Sequence, residues 1–145
     1  MIYARLKIDI QTLEELNDTG LNSVQFMFSA NKGGRLDLIK NVASGGELSR
    51  LTLCTKSLVA DAIPLPTLIF DEIDTGVSGD VAKRMAVILR QLSNNHQVIS
   101  ITHTPQIAAK ADKHFFVYKE VIGETTSANV KKLSREERIN ELAIM

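Results

Sequence analysis

The sequence predicts an α/β domain with a mostly parallel sheet flanked by helices, and three observations carry that expectation. Two short, uniformly apolar runs, TLIF at 67–70 and QVISI at 97–101, read as strands covered on both faces, as parallel sheets require. Between them lies an amphipathic stretch of helical period, from about Gly79 to Asn94. Glycine and proline punctuation separates these segments, so strand, helix and strand alternate in the order that crossover connections produce.

Each element has its own signal. Residues 2–10 and 22–30 (IYARLKIDI and NSVQFMFSA) are rich in β-branched and aromatic side chains and flank the turn-like NDTG, which predicts two strands. NKGG at 31–34 breaks the second. A helix then starts near Ser44, with a predicted inner stripe of Leu48, Leu51, Thr55, Leu58, Val59 and Ala62, and is stopped by Pro64 and Pro66. After TLIF, Gly76 and Gly79 mark a turn. Ser78 is placed to cap the next helix, Asp80 to complement its dipole, and Val81, Met85, Ile88 and Leu92 to face inward. Beyond QVISI, TPQIAAKAD reads as a short helix and HFFVYKE as a strand. SREERINELAIM opens with the Ser-x-x-Glu pattern of a capped terminal helix.

Composition narrows the function classes. A chain of 145 residues suits a single domain, here taken as 1–145 with a strand-rich entry segment at 1–40 and the motif-bearing region at 41–145. Seventeen basic residues balance seventeen acidic ones, so bulk charge gives no sign of a chain that grips nucleic acid by itself. The single cysteine, Cys54, excludes an internal disulfide, and its amphipathic setting predicts a buried thiol in a reducing cytoplasm. The longest apolar stretch, AIPLPTLIF, is far below the ~18 residues a membrane span needs, so a soluble protein with no membrane partner is expected.

Chemistry concentrates in three places. Ser44, Gly45, Gly46 and Glu47 form a Ser-x-x-Glu capping box, which satisfies free backbone donors at a helix entrance. The glycine pair adds something a cap does not need: it lets a phosphate-sized group approach amides at the positive end of the helix. Asp71 and Glu72 end an apolar strand, where alternation sends neighbouring carboxylates in different directions. One suits a magnesium ion that keeps most of its waters; the other suits a general base or water-orienting group for attack on a γ-phosphate. His103 closes the next strand in ITHTP, where the carboxyl ends of parallel strands share a crevice, and can donate to the same phosphate. His96 and His114 lack such a setting and read as surface or edge residues. Asn31 to Gly34 look phosphate-friendly, yet G-x-x-x-x-G-K-[ST] occurs nowhere in the chain.

With these residues in place, the chain resembles the P-loop NTPase-like ATPase head of the ABC superfamily, in its SMC-like branch. SGGE at 44–47 looks like the ABC signature, TLIFDE at 67–72 like Walker B, Asp74, Thr75, Gly76 and Ser78 like the D-loop, and His103 like the switch histidine. Within that branch the match is to a recombination and DNA-repair ATPase, through FMFSANKGG, VASGGELSR, LIFDEIDTGVSG, ITHTPQIAA and ERINELA. The resemblance implies the C-terminal lobe only, with Walker A supplied by an N-terminal lobe of the same protein. It implies ATP and magnesium as cofactors, the latter held at Asp71 through water, with Glu72 and His103 catalytic. Ser44, Gly45, Gly46 and Glu47 are implied to clasp ATP bound by a second head in a two-fold homodimer. DNA contact through the full-length protein, and a cytoplasmic, nucleoid-associated setting, are implied with it. Many members of the superfamily carry an aspartate where this chain has Ser78, which puts one cross-dimer hydrogen bond in doubt. Glu47 and Ile73 argue against a transporter subunit, which usually has glutamine and proline there. Two other readings stay open: a two-metal phosphodiesterase or topoisomerase-like domain using Asp71, Glu72 and Asp74 as ligands, and a lobe that only binds partners. Without Walker A, the chain alone is expected to be inactive as an ATPase.

Overall fold

The computed structural model describes residues 3–42, 44–63 and 65–145; the side chains of Val42 and Asp61 also lie outside the description, as do the expected first strand residue Ile2 and the helix stop at Pro64. The chain divides into two units, Met1–Leu51 and Thr52–Met145.

The first unit is built on a long hairpin. Strand β1 (Arg5–Asn17) pairs antiparallel with β2 (Gly20–Ser29), and the turn between them falls on the predicted NDTG. Asn17 Oδ1 accepts from both the backbone N–H and the hydroxyl of Thr19, the local bonding that makes Asn-Asp-Thr-Gly a turn. A two-residue β3 (Asp37–Leu38) adds to the β2 edge, and a single helical turn, α1 (Ile39–Val42), follows. Neither of these short elements carries a sequence signal. Helix α2 (Gly45–Ala62) begins in this unit and continues into the next.

In the second unit, β4 (Thr67–Asp71) and β5 (Gln97–Ile101) form the predicted parallel pair, joined by α3 (Gly79–Leu92). Among the described residues parallel pairing is confined to this pair. The other ladders are antiparallel, because connections as short as Asp18–Thr19 and Gly123–Glu124 can only reverse the chain. Helix α4 (Pro105–Ala108) and strand β6 (Phe115–Ile122) match expectation; β7 (Thr125–Lys132), which pairs with β6, was hidden by its polar composition. The terminal helix α5 (Arg135–Ile144) carries the full capping box, with Glu137 N–H donating to Ser134 Oγ and Ser134 N–H to Glu137. Arg138 reaches back to the carbonyls of Ala108, Ala109 and Ala111 at 2.9, 2.9 and 2.6 Å, binding the terminal helix to the segment that ends α4.

The core of this unit joins Leu53 and Ala60 of α2, Leu68 and Phe70 of β4, Ile73 and Val77 after it, Ala82, Met85, Ala86, Leu89 and Leu92 of α3, and Ile107 of α4. Helix phases differ from expectation. On α2 the inward residues are Leu53 and Ala60, while Leu58 and Val59 are exposed and Cys54 is not the buried thiol predicted. On α3, Val81 turns outward and Ala82 and Leu89 turn in. Apolar letters on both sides of each helix made the stripe ambiguous, and the core shared with Leu68 and Phe70 of β4 takes in the small residues Ala60, Ala82 and Ala86. The parallel pair is also covered on one face only: Leu68 and Phe70 are buried, whereas Ile69, Ile99 and Ile101 stay open. No helix among the described residues is long and apolar enough to cross a membrane.

Candidate nucleotide site

At the entrance of α2, both bonds of the capping box form: Ser44 N–H donates to Glu47 Oε2 at 3.0 Å, and Glu47 N–H lies 3.4 Å from Ser44 Oγ. The second is long enough to leave the hydroxyl available to another partner. Ser44 and Gly45 are exposed, and a Cβ placed on Gly45 would have no atom within 4 Å. The entrance is therefore open at Ser44 and Gly45, whereas Gly46, expected to share in it, is buried.

The second cluster stands at the carboxyl end of the parallel pair. Asp71 closes β4 opposite Ile101, on the same open face as Ile69. Glu72 continues the register, its N–H donating to the Ile101 carbonyl at 3.0 Å, and then leaves the strand with φ 45, a left-handed conformation unusual for a side-chain-bearing residue. This break ends the alternation, so the two adjacent carboxylates are both exposed. Thr75 holds the turn by donating its N–H and hydroxyl to the Glu72 carbonyl, while Ile73 and Val77 anchor it in the core.

Between the anchors, Asp74 is fully buried. Thr102 Oγ1 donates to Asp74 Oδ2 at 2.6 Å and accepts from Thr104 N–H at 2.9 Å. His103 Nδ1 lies 4.0 Å from the same carboxylate oxygen, with most of its ring in solvent. Burial pushes the Asp74 carboxyl upward, but the Thr102 and Thr104 hydroxyls, its backbone and His103 together hold it below the usual carboxylate value. The loop after β4 and the loop after β5 are thus tied through one ionised side chain. Thr102 and Thr104 were not singled out in the sequence; the signal was the pair of threonines flanking a histidine at a strand end. Ser78 occupies the N-cap of α3 but makes no side-chain capping bond, and Asp80 pairs with Lys83. Gly76, with φ 70, completes the turn. His96, expected at the surface, is half-buried with Nδ1 2.6 Å from the Leu65 carbonyl.

Asp74 does not join Asp71 and Glu72 as an exposed ligand, which counts against a two-metal centre on those three residues. Among the described residues no group of three or more metal-ligating side chains occurs. Asp71, an exposed carboxylate at the strand tip, fits an ion that brings most of its own waters.

The chain is 43% identical over 131 residues to the DNA repair protein RecN of Bacillus subtilis and 41% identical over all 145 residues to RecN of Rickettsia typhi. This chain matches the C-terminal part of RecN. RecN of Vibrio cholerae is 40% identical over 144 residues. The chain spans about a quarter of the length of these RecN relatives, 23% for the Bacillus protein and 26% for the other two. No family model matches it. Among solved structures, an Smc head domain from Pyrococcus yayanosii superposes with a TM-score of 0.71 at 24% identity, covering 98% of this chain and 26% of that one. The SMC head domain of Thermotoga maritima gives 0.54, covering 75% and 39%. The RecN-like segment shares the fold of these SMC head domains.

Proposed function

We propose that this chain is the C-terminal lobe, 1–145, of an SMC-like ATPase that hydrolyses ATP between dimerised heads during DNA double-strand break repair and recombination. The observation that carries the reading is the tip of the parallel pair: two exposed carboxylates, Asp71 and Glu72, beside a loop that presents His103 and is tied to theirs through Asp74. RecN relatives bear the name of a DNA repair protein, and one structural relative belongs to work on ATP-driven dimerisation and DNA-stimulated activation of SMC ATPases.

In this proposal the site residues divide the work. Ser44 and the amides of Gly45 and Gly46 donate to the terminal phosphate of ATP held by a second head, and Glu47 keeps the entrance in shape. Asp71 orients the waters of a magnesium ion, which supplies charge neutralisation at the phosphates. Glu72 accepts the proton of the attacking water. His103 donates to the γ-phosphate, and Asp74, Thr75, Gly76 and Ser78 form the loop that faces the partner head. Walker A comes from an N-terminal lobe, which also covers the open face of Ile69, Ile99 and Ile101. The two-fold dimer is isologous. The protein works in the cytoplasm, on the nucleoid.

The test is Glu72→Gln in the full-length protein. Retained ATP binding with accumulation of ATP-bound head dimers is the expected result; wild-type turnover removes Glu72 as the base. The 145-residue chain alone is expected to show no turnover above its own Glu72→Gln control.

A further inference from the structure

The balanced net charge conceals a local segregation. At the open end of the β1–β2 hairpin, Tyr3, Ala4, Arg5, Lys32 and Gly33 line an open cleft of about 310 Å³. Neither 3–8 nor 29–36 contains an acidic residue, and none of the ion pairs among the described residues uses Arg5, Lys32 or Arg35. Lys32 Nζ stands 5.5 Å over the Tyr3 ring, and Arg5 donates to the Gly34 carbonyl. These two contacts hold the cations in place without neutralising them, because neither an aromatic face nor a carbonyl carries a formal charge. Arg5 keeps most of its five donors free. Gly33, at φ 73, adopts the left-handed conformation and presents bare backbone, with nothing within 4 Å of where a Cβ would stand. NKGG is a motif of the sequence that the nucleotide site leaves unused.

We propose that this cleft binds the phosphodiester backbone of a nucleic acid strand, with Arg5 and Lys32 on successive phosphates and the Tyr3 hydroxyl as a further donor. Preorganised cations beside an aromatic side chain, next to exposed backbone, form the combination that tracks a polynucleotide without reading its sequence. The choice of a nucleic acid rests on the repair reading above; the site itself is independent of the ATP residues.

The test uses the full-length protein and a short labelled DNA, with affinity measured across a salt series. Lys32→Gln is expected to weaken binding at low salt, and Arg5→Gln with Lys32→Gln to flatten the slope of log affinity against log salt by about 0.7 per cation removed on single-stranded DNA and about 0.9 on duplex. Lys32→Arg restores the slope. Turnover of ATP without DNA stays at the wild-type level in all three variants. An unchanged slope in the double variant overturns the site while leaving the repair reading intact, whereas a wild-type protein that binds no DNA overturns both. A double variant that loses ATP affinity at an unchanged DNA slope makes the cleft a nucleotide site and overturns the assignment to a polymer.

Discussion

Thr102 Oγ1 and Asp74 Oδ2 are 2.6 Å apart, and this one bond joins the loop that carries His103 to the turn that carries Glu72. Thr102→Val keeps the shape and removes the donor, leaving a buried carboxylate short of a partner. A loss of about 1–3 kcal/mol in urea unfolding is expected, with Thr102→Ser close to wild type. The pH dependence follows from the depressed Asp74 carboxyl: its contribution is complete above the unfolded value near ~3.9 and disappears as pH falls through the lower folded value. Thr102→Val therefore weakens the acid dependence of stability. A variant with an unaltered acid limb would show that Asp74 is not held by this bond.

The face of α2 is decided by comparing two leucines. Leu53 is 1% exposed and Leu58 70%. Leu53→Ala is expected to cost about 2–5 kcal/mol by cavity formation, and Leu58→Ala to fall within about 0.5 kcal/mol of wild type in the isolated chain. Equal losses in denaturant midpoint contradict the helix phase.

Glu137 accepts from Lys131 Nζ at 2.5 Å and from Ser134 N–H at 2.8 Å. Its carboxyl is lowered to about 2, first by the Lys131 hydrogen bond and then by the Ser134 backbone. What this side chain adds to stability is present above the ordinary glutamate value of about 4.3 and is lost as pH falls towards 2. Carboxyl-carbon NMR titration checks this. Lys131→Met is expected to move the midpoint back towards the ordinary value, and an unmoved midpoint assigns the shift to the cap alone.

Gly45 separates fold from function. Space is open around it, so Gly45→Ala is expected to leave the fold intact and to stabilise α2 by up to about 1 kcal/mol. In the full-length protein the same methyl group, and more so Gly45→Val, is expected to slow ATP turnover by obstructing the phosphate. Unimpaired turnover in both variants reduces the glycine to a helix cap.

The sequence by itself determined the elements whose signal is local. NDTG made a turn through Asn17 and Thr19, and Ser134 and Glu137 closed a capping box, because each depends on neighbours within a few residues; TLIF and QVISI were legible as strands from their apolar runs, and their parallel pairing from the helix between them. The same holds for Asp71, Glu72 and His103 at strand ends, since strand termini follow from the apolar runs. Tertiary structure decided which face of α2 and α3 turns inward, that Cys54 is exposed, and that Asp74 is buried while its neighbours Glu72 and Thr75 are not. Those outcomes depend on which small side chains let a helix approach a strand, and on a threonine 28 residues away in sequence supplying the bond that makes a buried charge tolerable.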